Sequence, residues 1–270
     1  MKIHPTAIIE DGATLAGDVE VGPLCFVGAS AVLDEGVRLH AHVVIAGRTH
    51  VGARTIVYPH AVLGGDAQMR RPSPANAELR IGADNIIRES VTMNLGSSAG
   101  TGLTSVGDRC YFMACSHVGH DCRIGSDVTL SNAVLLGGHA DVGDGVILGG
   151  AAAVQQFGRV GRYAFISGLS GVTTDVIPYG IAIGLQVRLG GLNLIGLKRR
   201  NVPRANIHAL RAAYRFIFLE SHGPIQEIAR QAADKWPDVP EVQDVTGFIL
   251  ADAKRPISPA RTLRAGAEED

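Results

Sequence analysis

An aliphatic residue returns every six positions along most of this chain. Read in sixes from Ile3, eleven successive segments each begin with Ile, Leu or Val, down to Leu63. The fifth position is small, as at Ala7, Ala13, Ala31, Thr49, Thr55 and Ala61. The register breaks over Gln68–Arg80 (QMRRPSPANAELR), returns at Ile81, and breaks again over Leu95–Ser105. It resumes, shifted by one, at Val106 and runs to about Ile177, with Met93 and Phe112 in the aliphatic slot.

A period of six is too long for the alternation of one strand and too short for a helical repeat. It predicts a mainly β protein, a parallel β-helix in which three short flat strands make one 18-residue coil. The first residue of each hexad points to the axis, and Gly, Asp and Asn at the second to fourth turn the corners. Stacked coils lie ~4.8 Å apart and share one apolar core. Residues 18 apart in sequence therefore lie above one another. The spacing does not set the hand; general crossover rules favour right-handed connections.

The pattern stops at Pro178–Gly180, and the chain reads helical after Gly190. Helices are predicted over Ala205–Glu220, with Ile207, Leu210, Tyr214 and Ile217 on one stripe, over Pro224–Trp236, and over Glu241–Ala253. Arg255–Asp270 reads as a mobile tail. Two domains follow: a β-helix over 1–186 and an α-helical unit over 187–270.

The chain has 270 residues and a net charge of −1, which argues against a general nucleic-acid binder. No apolar run is long enough to span a bilayer. The first repeat starts at residue 3, so MKIHPT does not read as a signal peptide, and a cytoplasmic protein is expected. Of the four cysteines, Cys25, Cys110 and Cys122 occupy the small fifth slot and read as buried thiols, in keeping with a reducing compartment.

The local pattern richest in chemistry is MACSHVGHDCRIG, Met113–Gly125. His120, Gly138 and Gln156 all hold the third hexad position in successive coils, so they form a column on one edge of the prism. Asp121 follows His120, His139 follows Gly138, and His117 lies three residues before His120. A neutral imidazole can take a proton from an attacking hydroxyl or amine. A carboxylate can orient it. A glycine lets a carbonyl approach a backbone N–H that stabilises an oxyanion. A Gln offers both a donor and an acceptor. This set describes acyl transfer from a thioester, with no Ser or Cys nucleophile. His42 and His60 are also 18 apart; no carboxylate follows either, and they read as structural. A zinc hydratase using His117, His120 and His139 is a rival. An ice-binding solenoid is another, but it needs flat ranks of Thr that this chain lacks.

With those residues in place, the chain resembles the UDP-N-acetylglucosamine acyltransferases of lipid A biosynthesis. The resemblance rests on IHPTAII, IRESVTMN (87–94), HVGHDCRIG (117–125), GGHADV (137–142), the QF of VQQFGRVG (154–161), SGV (170–172) and NLIGLKRR (193–200). It covers nearly the whole chain. It implies a left-handed β-helix, against the crossover rule, and a homotrimer with active sites in clefts between subunits. It implies transfer of a 3-hydroxyacyl chain from the phosphopantetheine of acyl carrier protein to the sugar 3-position, with no metal or other cofactor. In that light His120 is the general base, Asp121 orients it and the Gly138 N–H holds the oxyanion. His117, His139 and Gln156 contact the sugar nucleotide or acyl chain. Asn193, Arg199 and Arg200 bind the UDP portion, and Gly168 lines the acyl groove. Arg204, His208, Arg211 and Arg215 fall on one helical face that could steer an acidic carrier protein. Lys198, beside the two arginines, adds to the charge near the diphosphate.

Three positions depart from the family pattern. Met69 stands where Asp is usual, with Arg71 retaining the cation of that loop. Ile195 replaces a frequent Glu, and Gln155 a frequent His. An apolar Met cannot accept a hydroxyl hydrogen bond, so an alternative stays open: N-acylation of the 3-amino-3-deoxy sugar nucleotide.

Overall fold

The computed structural model describes residues 1–261. Within it the hexads close into a three-faced prism. Face one holds eleven strands, from Lys2–Ile3 up to Gly180–Ile183 and the antiparallel Arg188–Leu192. Face two holds nine, from Ile8–Ile9 to Gly171–Val172, and face three holds eight, from Thr14–Leu15 to Arg159–Val160. Most strands are two residues long and pair in parallel at a spacing of 18, as Val21 with Leu39 and Phe112 with Leu130. The first hexad residue is buried in the stack; Val27, Ile45, Val57, Leu63, Ile87, Met93 and Phe112 are all 0% exposed. Full burial of one such side chain stabilises by roughly 1.5–3 kcal/mol.

The coil is a left-handed parallel β-helix. The right-handed expectation from crossover rules fails for a physical reason. That rule derives from the twist of long strands, and two-residue strands carry little twist. The turns instead use a left-handed backbone at the fourth hexad position: His42, His60, Asp121, His139, Phe157 and Tyr163 all have φ near +60°. The buried fifth position is bonded at Asn85 and left without a partner at the Ser116 hydroxyl among the described residues. Asn85 donates to Gly82 O and Gly107 O and accepts the Cys110 N–H at 2.8 Å.

Both register breaks are insertions on one edge, where face two turns into face three. Val57 pairs with Leu39 below it and, across the first insertion, with Ile87 above. Both loops end sooner than the broken hexads suggested. Glu78–Ile81 and Leu103–Val106 pair as four-residue strands, with Leu79 and Thr104 turned into the core.

Beyond the last coil come α1 (Leu194–Arg199), α2 (Arg204–Arg215), α3 (Ile225–Lys235) and α4 (Pro240–Leu250). The segment expected as one helix to Glu220 widens to a π-turn over Phe216–Glu220. Ile207, Leu210, Ala213 and Ile217 are buried, with Tyr214 half-buried beside them. Two polar ties fasten the helices to the prism. The Asp175 carboxylate, fully buried, accepts from Arg159 N and Nε, and the Arg159 guanidinium lies over the Phe248 ring. The Tyr179 hydroxyl donates to Asp244. The expected tail is docked over its first part: Ile257 bridges Asp175, Ala260 bridges Leu189, and Ser258 is fully buried. Extended backbone there finds free ladder groups on the last coil, which composition did not reveal. The remainder of that tail, 262–270, lies outside the described residues. No helix among the described residues is long and apolar enough to cross a membrane.

Candidate functional site

The His120 column forms as its spacing dictates. His139 N donates to His120 O at 2.9 Å, and Phe157 N donates to Gly138 O at 3.1 Å, so His120, Gly138 and Gln156 are stacked on the two–three edge. His120 Nδ1 lies 2.8 Å from Asp121 Oδ2, with the two side chains 9% and 1% exposed. Facing a carboxylate, Nδ1 carries the proton, which leaves the Nε2 lone pair free as a base.

The second inserted loop holds Asp121. Ser97 donates to Oδ2 from its N–H (3.0 Å) and its hydroxyl (2.6 Å), and the Gly102 N–H donates to Oδ1 (3.0 Å). Asp121 N in turn donates to Thr104 Oγ1 at 2.8 Å. Burial would push the Asp121 carboxyl up. The hydrogen bonds from Ser97, His120 and Gly102 outweigh it and hold the group ionised, below its usual range. A Cβ on Gly100 would strike the Asp121 carboxylate and stand 2.6 Å from His139 Cε1, so only glycine lets the loop close this tightly.

Gly138 is glycine because His120 needs the space: a Cβ there would lie 2.5 Å from Cε1 and Nε2 of the ring. Its N–H donates to no acceptor among the described residues. At three successive corners of the three–one edge the equivalent N–H is capped by the next coil: Ala83 by Asp108 Oδ1, Asp108 by Ser126 Oγ, Ser126 by Asp144 Oδ1. The Gly138 amide is thus left for an external acceptor beside Nε2.

His139 stacks on Phe157 (4.3 Å between centroids, 8° between planes) and meets His120 edge-on at 5.0 Å. His117, on face two, bonds Thr92 Oγ1 through Nδ1 at 2.8 Å. Burial lowers the pKa of both His117 and His139, so both are neutral near pH 7. Gln156 is exposed, and its carbonyl accepts from Arg255 Nε at 2.7 Å.

The other sequence-predicted residues lie elsewhere on the prism. Arg71 and Met69 are exposed in the first inserted loop, on the same edge as His120. Gly168 is exposed on the one–two edge. Asn193 caps α1, accepting from Gly196 N and donating to Tyr163 O at 3.1 Å. The Arg200 guanidinium lies 3.8 Å from the centre of the Tyr163 ring, while Lys198, Arg199 and Ile195 are exposed on α1. Tyr163 belongs to the three–one edge. Within one chain, then, the His120 group and the Arg200 group occupy different edges.

Sequence reasoning missed Ser97, Gly100, Gly102 and Thr104. It also missed Asn94, a buried side chain directly after the Met93–Val118 pair, whose Oδ1 has no partner among the described residues. The aperiodic loop gave no spacing to read; the one usable signal was its density of Ser, Thr and Gly beside the His120 coil.

His120, Asp121 and His139 bring ligand atoms within 4.8 Å of one another. Both Asp121 oxygens are already committed to Ser97, His120 and Gly102, so zinc would have to break that cradle. His42 and His60 stack at 4.9 Å on another edge, apart from this site. The four cysteines are free, and burial pushes the Cys110 and Cys122 thiols up to about 11 and about 12.

A family profile described as UDP-N-acetylglucosamine O-acyltransferase, domain 2, matches residues 175–258. The chain is 46% identical over 257 residues to the acyl-[acyl-carrier-protein]–UDP-N-acetylglucosamine O-acyltransferase of Rhizobium johnstonii, covering 95% of this chain and 94% of that one. It is 48% identical to the protein of the same name from Agrobacterium fabrum, covering 95% of each. The solved UDP-N-acetylglucosamine acyltransferase of Francisella novicida superposes with a TM-score of 0.91 at 30% identity, covering 99% of this chain and all of that one. This chain belongs to the acyl-[acyl-carrier-protein]–UDP-N-acetylglucosamine O-acyltransferase family.

Proposed function

We propose that the protein moves a 3-hydroxyacyl group from the phosphopantetheine thiol of acyl carrier protein to the 3-position of UDP-N-acetylglucosamine, the first step of lipid A biosynthesis. It does so as a cytoplasmic homotrimer without metal or other cofactor. The observation that carries this reading is the His120–Asp121 pair lying beside a buried backbone N–H with no acceptor among the described residues.

His120 Nε2 takes the proton of the sugar 3-hydroxyl as its oxygen attacks the thioester carbonyl. The oxyanion forms beside the Gly138 N–H, a kind of donor worth about 2.7–4 kcal/mol in the barrier. Asp121 stabilises the imidazolium. The intermediate collapses, the C–S bond breaks, and the departing thiolate takes the proton back from His120.

The outer surface supports the trimer. Face three carries charge pairs such as Arg123–Asp141 and Arg48–Glu78. Face one presents Ile86 and Ile147, face two presents Leu135, and the edge between them presents Leu24 and Leu169, all exposed in the single chain. Three prisms with that apolar edge toward a common axis bury face one of each against face two of the next. The same packing brings the His120 edge of one subunit beside the Asn193–Arg200 edge of its neighbour. Asn193, Arg199 and Arg200 then hold the uridine diphosphate, with Arg giving bidentate contacts. The acyl chain runs across face two toward Gly168, with His117, His139 and Gln156 bordering the cleft. The exposed stripe Arg204, His208 and Arg211 on α2 meets the acidic carrier protein.

A second reading rests on Met69. An exposed apolar side chain in the loop on the His120 edge favours transfer to the nitrogen of a 3-amino-3-deoxy sugar nucleotide. Competition between the two acceptors, with one defined acyl carrier protein and mass spectrometry of the products, decides. The ester is the expected product; formation of the amide alone overturns the O-acyl reading.

A further inference from the structure

His139 Nε2 stands 4.0 Å from Asp121 Oδ2, just beyond hydrogen-bond range, while His120 holds the same oxygen at 2.8 Å. A small rotation of His139 would let it compete with His120 for its orienting carboxylate. Something must fix it.

Phe157 covers one face of the His139 ring. Lys254 lies with Nζ 3.9 Å from the Phe157 centroid; with His139 on one face of that ring, the ammonium takes the other. Arg255 anchors this segment to the prism through Nε to Gln156 O (2.7 Å) and Nη1 to Gln155 Oε1 (2.9 Å) and Thr173 O (3.1 Å). Gln155 and Gln156 directly precede Phe157. The chain that leaves α4 therefore returns to the top of the His120 column and closes a sandwich of Lys254, Phe157 and His139.

We infer that Lys254 and Arg255 form a strap that positions His139 in the acyl-transfer site, keeping it off Asp121 so that the carboxylate serves His120 alone. The strap acts by stacking and by charge. The charged and titratable groups around His139 are Asp121 and His120 on the coil below and Lys254 on the strap; Gly100 closes the remaining side without charge. Asp121 favours a protonated His139, which would be drawn onto the carboxylate. The Lys254 ammonium opposes that protonation, in the same direction as burial. Lys254 is thus a positioning residue, not a catalytic one. This inference rests on the proposed role of His120.

The test is a histidine-labelled NMR titration of the free trimer, with His139 assigned by His139→Gln, run beside the pH profile of kcat/KM. In Lys254→Met the His139 pKa should rise by about 0.5 unit, from the loss of one charge across a partly exposed path of roughly 8 Å. The acid limb of kcat/KM should move up with it, and Lys254→Arg should restore both. Arg255→Met, which frees the anchor, should act in the same direction. An unchanged His139 titration in Lys254→Met and Arg255→Met overturns the strap, as does a uniform loss of turnover at every pH. The titration needs no turnover, so a failure of the general-base reading, seen as full activity in His120→Ala, remains a separate result.

Discussion

The Gly138 Cα lies against the His120 ring so closely that a Cβ would stand 2.5 Å from Nε2 and Cε1. That distance is below any tolerated contact, and the neighbour is the end of the imidazole that would act as the proposed base. Gly138→Ala should displace His120 and crowd the approach to the amide. We expect a loss of about 10²–10³-fold in kcat with little change in Tm. Turnover within about threefold of wild type would remove this amide from the reaction.

Asp121 receives donors on both oxygens, so its replacement by an amide cannot be silent. Asp121→Asn must turn an NH₂ toward the Ser97 or the Gly102 side and leaves His120 without a counter-charge. Turnover should fall by about 10²–10⁴-fold, and stability by roughly 1–3 kcal/mol for the lost bonds. Single-turnover kinetics and thermal unfolding of the same sample separate the two effects.

The hexads made the prism legible because one buried slot in six is a strong constraint: a charge at Val27 or Leu130 would have no partner. The same arithmetic puts His120, Gly138 and Gln156 in one column from the sequence alone. It failed where periodicity ends. Ser97 and Gly102 reach Asp121 from a loop whose length, not its pattern, places them. Residues 255–261 read as tail from their place at the end of the chain, yet Ile257 and Ala260 find ladder partners on the last coil. The hand of the coil is set by left-handed corner residues such as His139 and Phe157, most of them types that carry no strong preference for that conformation.

Acid should weaken the fold through two half-buried imidazoles. His117 and His139 have folded pKa values below the ordinary 6.5. The unfolded chain therefore binds more protons in the window from 6.5 down to the folded values, and stability rises with pH there. The contribution is complete above 6.5 and is lost as pH falls below it. Tm measured from pH 5 to 8 should drop on the acid side, and His117→Asn with His139→Gln should flatten that slope. An unaltered slope in the double variant would assign acid sensitivity to other groups, the low-lying Asp121 among them.

Asp175 ties three elements: it accepts from Arg159, and its own backbone pairs with Pro256 and Ser258. Asp175→Ala strands the Arg159 guanidinium, which is 15% exposed, against Phe248. Breaking one partner of such a buried pair costs about 3–5 kcal/mol. The helical unit should become the first point of cleavage in limited proteolysis while the prism persists. Equal resistance of variant and wild type would show that apolar packing alone holds the two together.

The separation of His120 and Arg200 onto different edges makes a prediction that no single-subunit site can meet. His120→Ala and Arg200→Ala should each be nearly inactive alone, because every cleft lacks one of its halves. Co-expressed at equal levels, they assemble randomly into closed rings. A working cleft then needs an intact His120 edge from one variant beside an intact Arg200 edge from the other, which occurs in about a quarter of clefts. Activity should recover to roughly a quarter of wild type, and it should appear only in tagged, purified mixed trimers. A mixture no more active than its parents would mean that both groups act within one chain, and the proposed packing of face one on face two would have to be abandoned.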